Sequence, residues 1–247
     1  MTVFCDALPF TEWKIAPPDY RVAGAIAVFR VPIAESSRYL PRGQAVLHPA
    51  ELLRAGRYHQ PADRTRFLVA RAALRWLLGA YARRPPASLI LALGPNKKPV
   101  LQDAPGLHYN VSHAGNWVLI AIAGTEIGVD VEKVAAQFAF QDVLGTSFSP
   151  AEQAFIGQGA ASAPLFYQLW TRKEALVKAT AQGIDANFWQ VPALDGLHEL
   201  AGPGGAAGPG WAVSSFAVAD GYAAAVAYPA ALRGQLTFHD VDALLFS

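Results

Sequence analysis

Leu107–Val134, LHYNVSHAGNWVLIAIAGTEIGVDVEKV, decides how the rest of the chain is read. Two runs of strand-forming residues, Leu107–Ser112 and Trp117–Ala123, flank the tetrad His113-Ala114-Gly115-Asn116. That pattern predicts a β-hairpin with a short polar loop. After a break at Gly124-Thr125, Ile127–Val134 predicts another strand. Residues two apart in a strand share a face, so Asp130 and Glu132 point one way while Val129 and Val131 point the other. Two neighbouring carboxylates repel unless a cation or a proton lies between them, and Mg²⁺ is held by one or two carboxylates together with substrate phosphates. An amphipathic strand with a solvated acidic face gives the same pattern, and both readings stand at this point.

Upstream, Val22–Val31 predicts a strand and His48–Ala82 predicts helix. Pro49 and Glu51 suit the helix start. Phe67, Leu68, Ala70, Leu74, Leu77 and Leu78 recur at helical spacing, and Pro85-Pro86 ends the run. Ser88–Leu93 reads as a short strand and Gly94-Pro95-Asn96 as a turn. Downstream, Ser149-Pro150-Ala151-Glu152 is a capping-box pattern with proline at the first helical position. Ala163–Ala181 reads as helix and Gly202–Gly210 as a loop. Trp211–Val218 and Tyr222–Tyr228 predict a second hairpin around Asp220-Gly221. Strand, helices, hairpin thus occurs twice, in halves of 1–124 and 125–247, with negligible identity between them. The expected fold is α+β, a pseudo-dimer of two similar lobes with a cleft between them, a favoured place for a ligand. One irregular α+β domain is the alternative.

Within the second helix, Trp170, Glu174 and Lys178 form one slanted stripe. The carboxylate suits a metal ligand or a base, and the ammonium suits phosphate. An exposed Glu–Lys pair would look the same. Ser112 and His113 can donate to an anion. Adjacent on a strand, they point to opposite faces, which argues against a hydrolase pair; a polar hairpin tip is the plain reading. Arg54, Arg57, Arg64 and Arg66, and Lys97-Lys98-Pro99, suit phosphate or a solvated surface. His48, His59, His108, His198 and His239 lack metal-ligand spacing, and no P-loop occurs.

With 53% hydrophobic residues in 247, the chain can bury a sizeable core. A formal net charge of +1 gives no nucleic-acid footprint. The single Cys5 excludes an intramolecular disulfide and suits a reducing compartment. Met1–Lys14 carries Asp6 and Glu12 and lacks the features of a signal peptide. The longest apolar runs, such as Val118–Ala123 and Tyr222–Tyr228, are too short to span a bilayer. The expectation is a cytoplasmic protein with neither nucleic acid nor membrane as partner.

Taken together and in order, Lys98-Pro99, Asn110-Val-Ser112-His113, Gly128-Val-Asp130-Val-Glu132 and Trp170-Thr-x-Lys173-Glu174-Ala-x-x-Lys178 resemble the Sfp-type 4′-phosphopantetheinyl transferases. Asp63-Arg-Thr-Arg66-Phe-Leu and Leu74-Arg75 match upstream. The resemblance runs from about Glu51 to Gly183. It implies two similar α+β lobes, each a small, mostly antiparallel sheet packed with helices. Residues 1–124 would contact the coenzyme A nucleotide, and 125–247 would carry the metal and catalytic residues. The reaction implied is transfer of 4′-phosphopantetheine from coenzyme A to a serine of an apo acyl or peptidyl carrier protein. Asp130, Glu132 and Glu174 would hold Mg²⁺, with Mn²⁺ as the alternative metal. Glu174 would act as base and Lys178 would meet the pyrophosphate. Lys98, Ser112 and His113 would contact the nucleotide phosphates, Arg66 and Arg54 would face the 3′-phosphate, and Asp130, like Lys178, would also belong to the coenzyme A site. A monomer is implied, since an internal repeat completes a site. The chain departs from the family at Lys97, where glycine is common, and at Glu51, where some members have lysine. Another Mg²⁺-dependent phosphate-transfer or pyrophosphate-cleaving enzyme, or an inactive coenzyme A or carrier-binding module, are the competing readings. Phe188 and Trp189 are expected in the core, with an exposed carrier-docking patch as the alternative.

Overall fold

The computed structural model describes residues 1–17, 19, 26–94, 98–102, 104–135, 137, 139–157, 161–183, 187–200 and 210–242. The expectations at Val22–Ala25, Pro95-Asn96, Lys97 and most of Gly202–Gly210 lie outside these residues. In chain order the strands are β1 (Thr2–Ala7), β2 (Trp13–Ile15), β3 (Ile26–Pro32), β4 (Leu91–Leu93), β5 (Pro99–Leu101), β6 (His108–Ala114), β7 (Trp117–Ala123), β8 (Gly128–Lys133), β9 (Gly196–Glu199), β10 (Trp211–Ser215), β11 (Tyr222–Pro229) and β12 (Leu236–Asp240). The helices are α1 (Ile33–Ser36), α2 (Leu40–Gly43), α3 (Pro49–Ala55), α4 (Pro61–Ala82), α5 (Gln141–Ser147), α6 (Pro150–Ile156) and α7 (Ser162–Thr180).

The chain divides into two units that trade their ends. One comprises Glu12–Gly94, Pro99–Gly124 and Gln235–Ser247. The other comprises Met1–Thr11, Pro95–Lys98 and Thr125–Gly234. In the first, the sheet order is β2-β12-β3-β7-β6. β7, WVLIAIA, lies between two neighbours, and its unbroken apolar run suits an inner strand. In the second, the order is β8-β11-β10-β1-β9, antiparallel except for β1 against β10. Both units are therefore mixed α+β, and both repeat one plan. A strand (β3, β8) pairs antiparallel with the second strand of a later hairpin (β7, β11), and a long helix (α4, α7) packs on that hairpin. A terminal strand then joins each sheet in parallel, β12 beside β3 and β1 beside β10.

The predicted hairpin at 107–123 is tighter than the sequence suggested. β6 continues through His113 and Ala114, and Ala114 pairs with Trp117. Only Gly115 and Asn116 remain in the turn, with Gly115 at φ 53°, the left-handed conformation a two-residue hairpin turn demands. The expected helix over His48–Ala82 is two helices. Gly56 closes α3, and Pro61 opens α4 at a position where its missing N–H costs nothing.

Glu51 rivets α3 to α4. It accepts from Arg71 Nε (2.6 Å) and Arg75 Nε (2.6 Å), and closes the capping box to His48 N (2.8 Å). Burial alone would raise its carboxyl, but Arg71, the His48 amide and Arg75 outweigh burial and hold it below the ordinary range. Arg75, almost fully buried, also donates to Pro86 O (3.0 Å) and Leu89 O (3.1 Å). The Arg75 of the resembling motif is thus a structural tie.

His239 of β12 is buried against Phe29, and neither ring nitrogen has a hydrogen-bond partner among the described residues. Burial, reinforced by Lys14 and opposed by Asp240, lowers its pKa below 6.5. Above that value folded and unfolded chains both keep the ring neutral. Below it the unfolded chain takes up a proton that the fold resists, so stability falls with pH. The melting temperature should drop on acidification from pH 7 to 5.5, and His239→Phe should flatten that slope. An unchanged slope in the variant refutes the assignment.

Candidate functional site

The site grows from one glycine. A Cβ on Gly128 would collide with the Ala175 carbonyl oxygen and stand 2.5 Å from Ala179 N. β8 and α7 therefore touch backbone to backbone, and only glycine permits that approach. Ala225 and Ala227 on the neighbouring β11 lie in the same core as Ala175 and Ala179, and their small size admits the helix. Asp130 and Glu132 share the face of Gly128 by the two-residue alternation, so they lie beneath the helix that carries Glu174 and Lys178. Gly128→Ala should cost about 1–3 kcal/mol as an overpacked contact, read by urea denaturation; an unchanged midpoint would show that the helix can lift without penalty.

Lys178 Nζ donates to Asp130 Oδ1 at 2.6 Å and lies 3.7 Å from Glu174 Oε2. Asp130 is 2% exposed. Burial, with added repulsion from Asp130 and Glu174, pushes Glu132 up to about 7, and Lys178 opposes the rise. Glu174 is raised for the same first reason, burial, with Lys178 opposing and Asp130 adding. The structure thus brings together Asp130, Glu132, Glu174 and Lys178: three half-buried or buried carboxylates, two of them paired with one ammonium. Among the described residues, no three His, Cys, Asp or Glu side chains stand as a ready metal cage.

The other expected residues are placed as follows. Lys98 belongs to the same unit and donates to Glu126, Ile127 O (3.2 Å) and Ala179 O (2.9 Å). Ser112, buried, and His113, exposed, lie on opposite faces of β6 in the other unit, which also holds Arg54 in α3 and Arg66 in α4. Arg66 donates to Asp63 (2.7 Å), and Arg54 covers the Phe67 ring at 5.2 Å.

Trp170, read from sequence as a platform beside the charge pair, stacks on Phe166 (5.7 Å) and meets Phe188 (5.5 Å) in an aromatic cluster. Phe188 is core as expected, whereas Trp189 is 42% exposed. The two sit in one 3₁₀ turn, Phe188–Gln190, where successive side chains diverge by about 120°.

Sequence reasoning missed the buried charges behind the site. Lys173 is 0% exposed and pairs with Glu152 Oε2 at 2.9 Å, while donating to Trp189 O and Val191 O. Glu152 also accepts from Ala193 N and Ser149 N, both at 2.9 Å. Arg172 ties Ala193 O (2.6 Å), Asp195 Oδ1 (2.7 Å), Ser215 Oγ (2.7 Å) and Asp6 O (2.9 Å). These side chains fix the rotation of α7, so that the next residue, Glu174, turns toward β8.

Two family profiles divide along the structural repeat. The 4′-phosphopantetheinyl transferase superfamily matches residues 126–227, and "4′-phosphopantetheinyl transferase, N-terminal" matches 36–125. HetI of Nostoc sp., a 4′-phosphopantetheinyl transferase, is 31% identical over 70% of this chain and 76% of its own. The chain belongs to the 4′-phosphopantetheinyl transferase superfamily. The superfamily match contains β8, α7 and most of β11, and with them Asp130, Glu132, Glu174 and Lys178. The protein slr0495 of Synechocystis sp., provisionally named a 4′-phosphopantetheinyl transferase, is 39% identical over 62% of this chain. Sfp of Bacillus subtilis, another superfamily member, is 24% identical over 58%. The chain spans 64% of the length of each of these two. No helix among the described residues of this superfamily member is long and apolar enough to cross a membrane.

Proposed function

We propose that the chain transfers the 4′-phosphopantetheine group of coenzyme A to a serine hydroxyl of an apo carrier protein and releases adenosine 3′,5′-bisphosphate. The observation that carries this reading is the gathering of Asp130, Glu132, Glu174 and Lys178 at the β8–α7 contact, in a chain of this superfamily.

The donor set fits a hard divalent cation. Three carboxylates supply oxygen ligands, and two of them are held above their ordinary pKa by burial and by repulsion from their neighbours, a cost that a cation would relieve. Asp130, Glu132 and Glu174 would hold Mg²⁺ or Mn²⁺. When bound, such an ion offsets phosphate charge and eases departure of the leaving group. Glu174, raised toward neutrality by burial, is suited to take the serine proton. The serine oxygen then bonds to the β-phosphorus as the pyrophosphate P–O bond breaks. Lys178 carries a positive charge that can meet the departing phosphate. Nucleotide contacts are assigned to Arg54, Arg66, Ser112 and His113 on the resemblance alone. The chain supplies both copies of the structural repeat, so a monomer in the cytoplasm is the proposed active form.

Incubation with coenzyme A, Mg²⁺ and a panel of apo carriers tests the reading by mass spectrometry. A carrier gain of one phosphopantetheinyl group supports it. Coenzyme A hydrolysis without carrier modification, or metal-independent binding without turnover, refutes it.

A further inference from the structure

Lysine has three N–H donors and no acceptor. All three at Lys98 have an acceptor: the Glu126 carboxylate, Ile127 O at 3.2 Å and Ala179 O at 2.9 Å. Its side chain is only 11% exposed. A phosphate could not be added without surrendering one of these bonds. Two of the acceptors lie at the ends of the elements that build the site. Ile127 immediately precedes Gly128 at the start of β8, and Ala179 is in the last turn of α7. The final carbonyls of a helix have no partner within it, and a cation there is favourable. Ala181 then ends the helix in the left-handed conformation, φ 56°.

We propose that Lys98 is a positioning residue, which clamps the start of β8 to the end of α7 and so sets Asp130 against Glu174 and Lys178, and is not a ligand of the nucleotide phosphates. The clamp acts beside the Gly128 contact, where strand and helix already touch. Asp130 lies three residues beyond Ile127 and Lys178 one before Ala179, so slack in the clamp is transmitted over a short lever to the 2.6 Å ion pair. Misplacements of about 1 Å can cost a reaction about a hundredfold. The Lys98 segment also clusters with this unit, although the residues on both sides of it in sequence, up to Gly94 and from Pro99, belong to the other.

The inference rests on the transfer reading, and its tests separate the two. Lys98→Met keeps the stem and removes the ammonium. Positioning predicts that kcat falls about tenfold or more while KM for coenzyme A stays within about twofold, and that calorimetric coenzyme A affinity is unchanged. A KM raised about tenfold at unchanged kcat overturns the proposal and makes Lys98 a phosphate ligand. Should Lys98→Met fail to fold, Glu126→Gln decides. Positioning predicts a lower kcat at unchanged coenzyme A affinity. A ligand role predicts tighter binding, since a competing acceptor is lost. Amide hydrogen exchange gives a third readout without turnover. Faster exchange at Val129–Val131 and Val177–Ala179 in either variant supports the clamp, and unchanged exchange overturns it. A wild-type chain with no transfer activity sinks the transfer reading alone, because binding and exchange still judge Lys98.

Discussion

Glu174→Gln is expected to lower carrier modification by about 10²–10⁴-fold, the usual range for loss of a positioned acid or base, while the fold survives. Glutamine preserves the outline of the side chain but can neither take the serine proton nor add charge to the acidic cluster. Loss of the 3.7 Å pairing with Lys178 is offset by relief of two strains: the burial of a charge and its repulsion with Asp130. The melting temperature should therefore change little. Rate and stability are thus predicted to part company, which a carrier mass-shift time course and a thermal melt can read on one preparation. Turnover near the wild-type rate would remove Glu174 from the chemistry.

Lys173→Met should act in the opposite way, on stability first. The ammonium is wholly buried and lies 5.1 Å from the Phe148 ring centroid and 5.8 Å from that of Phe188. Its burial lowers its pKa, while Glu152 holds it charged. Removing one partner leaves Glu152, 3% exposed, as an uncompensated buried anion, a change that costs about 3–5 kcal/mol. Urea denaturation measures this directly. The double variant Glu152→Gln, Lys173→Met removes both charges yet keeps an acceptor for the Ala193 amide, and should recover part of the loss. A single variant as stable as the parent would mean that the pair contributes nothing. These two expectations divide neighbouring residues of one motif: Lys173 holds the helix, and Glu174 uses the place it is held in.

The sequence made some of this legible and hid the rest for physical reasons. β6, β7, β8 and α7 announced themselves through local periodicity, because each buries one face against a continuous core. Asp130 and Glu132 were visible as a pair because the strand alternation is strict. The break between α3 and α4 was marked by Gly56 and Pro61 but overridden by the helical apolar spacing that follows. Arg75, Arg172 and Lys173 were unreadable as structural groups, since their partners Glu51, Asp195 and Glu152 lie 20 or more residues away and no local rule pairs them. The saturation of Lys98 likewise depends on Ala179, 81 positions later.

The traded termini carry a consequence for biosynthesis. β1 leaves the ribosome well before its parallel partner β10, which begins at Trp211. β12, which sits between β2 and β3, ends at Asp240. Neither sheet can close on the nascent chain until β10 and β12 have emerged, so the two units are obliged to mature after both are made. A cut between residues 124 and 125 would yield two fragments, each deprived of a strand from its own interior.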